Sequence, residues 1–302
     1  MHDAFGREIN GIRISVTQRC NLNCFYCHKE GQNPSKTEMT PSEIERIVEI
    51  GKKISIKRLK ITGGEPLLRR DICEIIQLAS NHMKDISMTT NGILLEQYAA
   101  DLKSAGLRRV NISFDTPEPE TYKNITGRDD LSKAVAGLNA AIANGLTPVK
   151  LNMVVMKGVN DDEIEGMIRF AGEKNVILQL IELEMFDREF YERYHYDLGP
   201  IVAELEERSI RIEERGLHRR HKYFIEIDGS IGEVEVVKPM HNTTFCSNCT
   251  RIRVTADGKL KPCLLRNNNL VDIIGPIRNN ASDEELIETF KKAIFLREPF
   301  WR

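Results

Sequence analysis

The chain reads as an α/β protein: a parallel sheet curled into a partial (β/α)6 barrel, with a small C-terminal domain behind it. Three observations point there. Over the first 181 residues, strand-like apolar runs alternate with helix-like amphipathic stretches through six repeats, the pattern of parallel pairing through crossover helices. Gly63-Gly64-Glu65-Pro66 and Thr89-Thr90-Asn91-Gly92 follow directly on two of those runs, and in parallel α/β folds ligands sit at the carboxyl ends of strands. Six units are too few to close a standard eight-stranded barrel, so an open shape with a wide mouth is expected.

Taken in order, strands are expected at 12–16, 58–62, 85–89, 109–114, 148–155 and 176–181, with helices near 42–52, 72–79, 94–105, 131–143 and 161–173. Thr40-Pro41-Ser42-Glu43 marks the first helix start, with a threonine cap, proline at the first helical position and glutamate at the third. Behind it Ile44, Ile47, Val48 and Gly51 share a face. Asn160, three residues before Glu163, is expected to start another helix in the same way, ahead of Ile164, Met167, Ile168 and Ala171. Gly106 and Gly145 lie just past two helices, where a left-handed cap is expected. From 182 to 222 charge dominates, including Arg215, Arg219, Arg220 and Lys222, and a solvated connector is expected. The alternating runs 223–227 and 233–237, separated by Asp228-Gly229, predict a hairpin; Asp257-Gly258 predicts another turn, and 283–294 a closing helix. The expected division is therefore a barrel at 1–181, a connector at 182–222 and a C-terminal domain at 223–302.

The formal charge of −2 argues against a broad electrostatic grip on nucleic acid. No 18-residue apolar run occurs and residues 1–10 lack a secretory pattern, so a cytoplasmic protein without a membrane partner is expected. In the cytosol, seven cysteines read better as metal ligands than as disulfides. The isolated Cys73, inside a helical pattern, is expected to serve as a small apolar residue.

The other six form two groups. Cys20, Cys24 and Cys27 make a Cys-x3-Cys-x2-Cys run, which holds three corners of a four-iron cluster and leaves one iron for another ligand. Zinc completed by His28 is the competing reading. Cys246, Cys249 and Cys263 again supply three thiolates; here zinc, with His241 as the nearest fourth ligand, stands as an open alternative to a second cluster. Arg13, Lys60 and Lys150 lie on or beside expected strands, where they either face a barrel interior or pair outward with helix carboxylates. Arg251 and Arg253 are two apart on an expected strand and so point the same way.

Cys20, Cys24 and Cys27 followed by Gly63-Gly64-Glu65-Pro66 resemble the radical S-adenosylmethionine (SAM) enzymes. Cys246-Ser247-Asn248-Cys249-Thr250-Arg251-Ile252-Arg253 with Cys263 resembles the GTP 3′,8-cyclase family of molybdenum cofactor biosynthesis, and the likeness runs from Phe5-Gly6-Arg7 to at least Cys263. The resemblance implies two [4Fe–4S] clusters, one for SAM and one holding the purine of GTP. It implies conversion of GTP to 3′,8-cyclo-7,8-dihydro-GTP through a 5′-deoxyadenosyl radical. Tyr26, Gly64, Glu65 and Ser113 match its SAM-contact positions, with Glu65 accepting from the SAM ammonium; Arg13, Lys60, Thr89, Lys150, Arg251 and Arg253 match its GTP-binding positions. Implied partners are an electron donor such as ferredoxin or flavodoxin and a downstream pterin-forming enzyme; a homodimer is allowed. Members often end in a Gly-Gly tail that enters the site, whereas this chain ends Phe300-Trp301-Arg302, so that function is met otherwise or mechanism or substrate differs. Gln179 stands where bacterial members carry arginine, and the region of Glu184 and Met185 is offset by one from their SAM-contacting methionine. Two other readings are a twin-cluster enzyme that modifies a peptide and a zinc-stabilised binding module.

Overall fold

In the computed structural model, which describes residues 1–185, 187–227 and 229–301, the strands are β1 (Gly11–Ser15), β2 (Arg58–Thr62), β3 (Asp85–Thr90), β4 (Arg109–Ser113), β5 (Lys150–Val155), β6 (Ile177–Glu182), β7 (Ser209–Arg215), β8 (Arg220–Ile227), β9 (Ser230–Val237), β10 (Arg251–Val254), β11 (Lys259–Lys261) and β12 (Val271–Asp272). The helices are α1 (Pro41–Lys53), α2 (Ile72–Ser80), α3 (Leu95–Ala105), α4 (Pro119–Thr126), α5 (Leu131–Ala143), α6 (Ile164–Glu173), α7 (Arg188–Tyr194), α8 (Gly199–Arg208), α9 (Thr243–Ser247), α10 (Ile274–Arg278) and α11 (Asp283–Phe295). All strands join one open sheet in the order β12-β11-β10-β1-β2-β3-β4-β5-β6-β9-β8-β7. The six expected strands form its centre, paired in parallel.

The C-terminal residues do not stand apart. β10 adds in parallel to β1 and β9 adds in parallel to β6, so the part expected as a separate unit supplies a strand to each edge of the barrel sheet. Period-two alternation explains the inner wall. On β1, Ile12 and Ile14 are buried towards the helix layer while Arg13 lines the interior; on β2, Leu59 and Ile61 flank Lys60; on β5, Leu151, Met153 and Val155 alternate with Lys150, Asn152 and Val154.

The Thr40 capping box forms as expected: Thr40 Oγ1 accepts from Glu43 N at 3.3 Å and Thr40 N donates to the Glu43 carboxylate at 2.8 Å. Gly106 and Gly145 both take positive φ. Asn160 departs from expectation. It does not cap a helix; its amide donates to the carbonyls of Asp115 and Val154 and its oxygen accepts from Met156 N, tying the ends of β4 and β5 together, while a 3-10 turn leads into α6. The helix α4 was not expected from the pattern. The 182–222 stretch, expected as a solvated connector, carries α7, α8 and β7; many of its charges face solvent, but Arg215 and Arg220 line the cavity and Lys222 is buried. The hairpin is longer than expected, Lys222 being buried against Glu233 at 2.5 Å; Asp228 lies outside the described residues. Among the described residues no helix is long and apolar enough to cross a membrane.

Candidate active site

The first cysteine loop leaves the end of β1 and is held by the glycines after β2. A Cβ on Gly63 would lie 2.6 Å from Thr17 O, and one on Gly64 only 2.1 Å from Arg19 O, so the bare backbone is what lets this turn pack against the start of the loop. Gly64 N donates to Thr17 O and Glu65 N to Arg19 O, each at 2.7 Å. Glu65 does not reach the cavity as expected of a SAM contact. Its side chain, 0% exposed, accepts from Leu67 N, Thr90 Oγ1 and Asn91 N, so it fixes the turn after β3; burial pushes its carboxyl up to about 6.

Cys20, Cys24 and Cys27 are free thiols at the cavity wall. Burial, then the carboxylate of Asp115, pushes the Cys24 thiol far up, and burial also raises Cys20. Tyr26, between two of the cysteines, donates to Asp115 Oδ2 at 2.6 Å, while Asp115 Oδ1 accepts from Val154 N; burial brings that carboxyl to about 6. Ser113 lines the same wall.

The second group is gripped from both chain ends. Arg7 donates to the carbonyl of Cys246 at 2.9 Å and Arg297 to that of Cys249 at 2.8 Å, and both guanidiniums share Asp3 Oδ2 at 2.8 and 2.5 Å. Burial opposes ionisation of Cys249, but Arg297 and Arg251 outweigh it and lower its thiol; burial raises Cys263. His241, expected as the nearest fourth ligand, instead stacks on Trp301 at 4.0 Å and does not line the cavity. Among the described residues, no three His, Cys, Asp or Glu side chains converge on one ion.

All six cysteines face one cavity of about 1240 Å³. Between the two groups runs a cationic floor set by strand register: Arg253, Arg13 and Lys60 are successive partners across β10, β1 and β2, and Asn111 pairs with Lys150 across β4 and β5. Arg13, Lys60, Lys150, Arg251 and Arg253 thus all turn inward, and the outward pairing with helix carboxylates does not occur. Burial, then the charges of Arg13, Arg251 and Lys150, lowers Lys60 strongly; Arg251 falls likewise through burial and Arg13. Thr89 lines the floor, its hydroxyl without a partner among the described residues.

Two carboxylates that were not anticipated, Glu30 half-buried and Glu235 buried, punctuate this field. Burial opposes ionisation of Glu30, but Arg13 and Arg253, the latter at 2.7 Å, outweigh it and hold the carboxyl at about 2; Thr62 also donates to it at 2.9 Å. Glu235, 0% exposed, accepts from Lys150 at 2.6 Å and from Gln179 at 2.8 Å, with Arg215 and Arg220 within 3.8 Å. Gln179 is therefore a neutral member of a basic cluster that also draws on the stretch expected to be solvated. Its place in the alternation beside buried Val234 and Val236 could have flagged Glu235; nothing local flags Glu30, which sits at φ +53. Glu184 lines the cavity beside His28, at 3.9 Å.

The donor chemistry fits iron–sulfur clusters: two sets of three unpaired thiols open onto a common space, each lacking a fourth protein thiolate. Buried polar atoms without a partner among the described residues also collect there, on Arg7, Arg13, His28, Thr89, His218 and Arg297, as expected of a site built for polar ligands. A surplus of half-buried cations over carboxylates along the cavity calls for a polyanion.

Residues 14–171 match the Radical SAM superfamily and residues 176–302 match Molybdenum Cofactor Synthesis C. Over 303 residues the chain is 55% identical to a probable GTP 3′,8-cyclase of Pyrococcus horikoshii, covering 99% of this chain and 97% of that protein. Probable GTP 3′,8-cyclases of Thermococcus kodakarensis and Methanothermobacter thermautotrophicus are 52% and 48% identical over 100% of this chain and 100% and 99% of theirs. Among solved structures, Streptococcus suis SuiB bound to S-adenosylmethionine matches with a TM-score of 0.66 at 14% identity, over 94% of this chain and 68% of that one. The enzyme anSMEcpe with bound AdoMet matches at 0.62 and 18%, over 94% and 82%. These two likenesses are of fold.

Proposed function

We infer, for a chain that belongs to the radical SAM superfamily and within it to the GTP 3′,8-cyclase family, that the cavity is where GTP is converted to 3′,8-cyclo-7,8-dihydro-GTP at the start of molybdopterin synthesis. The protein is an enzyme that uses SAM and an iron–sulfur cluster. We propose two [4Fe–4S] clusters, the first on Cys20, Cys24 and Cys27 and the second on Cys246, Cys249 and Cys263. When bound, the first cluster and SAM would supply a 5′-deoxyadenosyl radical to take hydrogen from C3′ of GTP; C3′ would then add across the C8=N7 bond of guanine, and one electron from the donor that reduces the protein together with one proton would complete the 7,8-dihydro product.

The residues of the chain bind and orient. Tyr26, Ser113 and the backbone of Gly63 and Gly64 form the SAM side of the cavity, with Asp115 fixing the Tyr26 ring. Arg13, Lys60, Thr89, Lys150, Arg251 and Arg253 receive GTP, whose triphosphate answers the unbalanced positive charge of the floor. The electron donor is a ferredoxin or flavodoxin and the product passes to a pterin-forming enzyme, in the cytoplasm; the chain acts alone or as a homodimer.

The observation that carries this reading is that both thiol sets and the cationic floor open onto one space. Anaerobic incubation with GTP, SAM and dithionite, followed by mass spectrometry, tests it. GTP-dependent 5′-deoxyadenosine with a cyclised isomer of GTP is the expected result; SAM cleavage with no altered nucleotide overturns it. Iron and sulfide analysis tests the cluster count, and one cluster's worth of iron with stoichiometric zinc would remove the second cluster.

A further inference from the structure

His218 occupies a costly position for which the fold offers no return. It sits in the tight turn between β7 and β8 at φ +61, a left-handed conformation that non-glycine residues adopt only at a cost. It is 5% exposed, and its ring packs on Phe245, the residue before Cys246, with centroids 3.7 Å apart. Among the described residues, neither ring nitrogen has a hydrogen-bond partner. Leaving both unpaired costs free energy that a structural role would not require. Yet His218 lines the cavity, at the end occupied by the second cysteine group.

Its surroundings say what it can recognise. Burial, then the charges of Arg251, Arg220, Arg253 and Arg13, opposes its protonation and so favours the neutral ring. Guanidiniums only donate hydrogen bonds; a neutral imidazole donates from one nitrogen and accepts at the other. Such a group is poorly matched to phosphate, which the arginines already suit, and well matched to the mixed donor and acceptor edge of a nucleobase.

We propose that His218 contacts the base of the bound nucleotide, pairing with the purine edge while Phe245 fixes its ring, and so sets base specificity. The inference rests on the nucleotide reading above and goes beyond it by assigning a base-reading residue.

The test compares binding of GTP, ITP, which lacks the 2-amino group, and inorganic tripolyphosphate to the reconstituted holoenzyme, anaerobically and without SAM. His218→Phe keeps an aromatic ring on Phe245 and removes both nitrogens. It should weaken GTP about tenfold, narrow the gap between GTP and ITP, and leave tripolyphosphate unchanged. His218→Gly, which adopts positive φ without penalty, should behave alike if the bulkier variant does not fold. His218→Asn, tolerant of this backbone and able to donate and accept, should recover part of the loss. Equal weakening of GTP and tripolyphosphate, or no change in either while the wild type binds GTP, overturns the inference and leaves the nucleotide reading standing. A wild-type holoenzyme that binds no GTP overturns both.

Discussion

Arg253 reaches Glu30 from β10 at 2.7 Å and Arg13 from β1 at 3.4 Å, so two of the cations proposed to receive the triphosphate share an internal counter-ion. A nucleotide must outbid that carboxylate, and each arginine must make a charge-assisted bond, worth about 1.5–3 kcal/mol, to do so. Arg253→Ala should therefore weaken GTP about 10- to 100-fold with iron content unchanged, measured by titration of the reconstituted protein; an unchanged affinity would remove Arg253 from the site. Lys150 carries a pH signature. Burial, set against the attraction of Glu235, brings its ammonium down to about 8. Its charge is present below that value and lost above it, so GTP affinity should fall as pH rises from about 7 to 9. Lys150→Arg keeps its charge throughout and should flatten the curve. A wild-type curve as flat as that of the variant would mean that Lys150 does not meet the nucleotide.

At the scale of single elements, the join between the β2 turn and the cysteine loop is the least forgiving. Gly64→Ala would drive a methyl group into the backbone of Arg19, and neither partner is a flexible side chain that can swing away. Loss of about 3 kcal/mol and of iron from the first group should follow, read by thermal melting and by iron per chain. The alternation that made this region legible is simple: Ile12, Ile14, Leu59 and Ile61 announce their strands, and the parity of Arg13 and Lys60 then fixes which way they face. The same logic failed between 182 and 222, because α7, α8 and β7 are short and largely solvated, and their few buried residues do not repeat often enough to declare a period. Asn160 misled for another reason. A residue able to cap a helix can equally bond to strand carbonyls, and only the three-dimensional nearness of Asp115 decided between them. His218 and Glu30 gave no sequence signal, since each matters through neighbours from distant strands.

Across the whole molecule, the two chain ends meet at the second cysteine group. Asp3, 0% exposed at its side chain, bonds Arg7 and Arg297, and these two hold the carbonyls of Cys246 and Cys249. Asp3→Ala leaves two buried guanidiniums without their shared carboxylate, a loss of about 3–5 kcal/mol. On the two-cluster proposal, iron per chain should drop by roughly half, with the spectroscopic signature of the cluster proposed on Cys20, Cys24 and Cys27 retained; full occupancy of both proposed clusters would show the clasp to be dispensable. The sheet carries a related consequence for how the protein is made. β1 and β6 are among the early strands to leave the ribosome, yet their outer neighbours β10 and β9 are encoded after residue 229. Until those arrive, the nascent chain bears two raw strand margins able to pair with a stranger, so a polypeptide ending soon after β6 should clump rather than persist as a free-standing half.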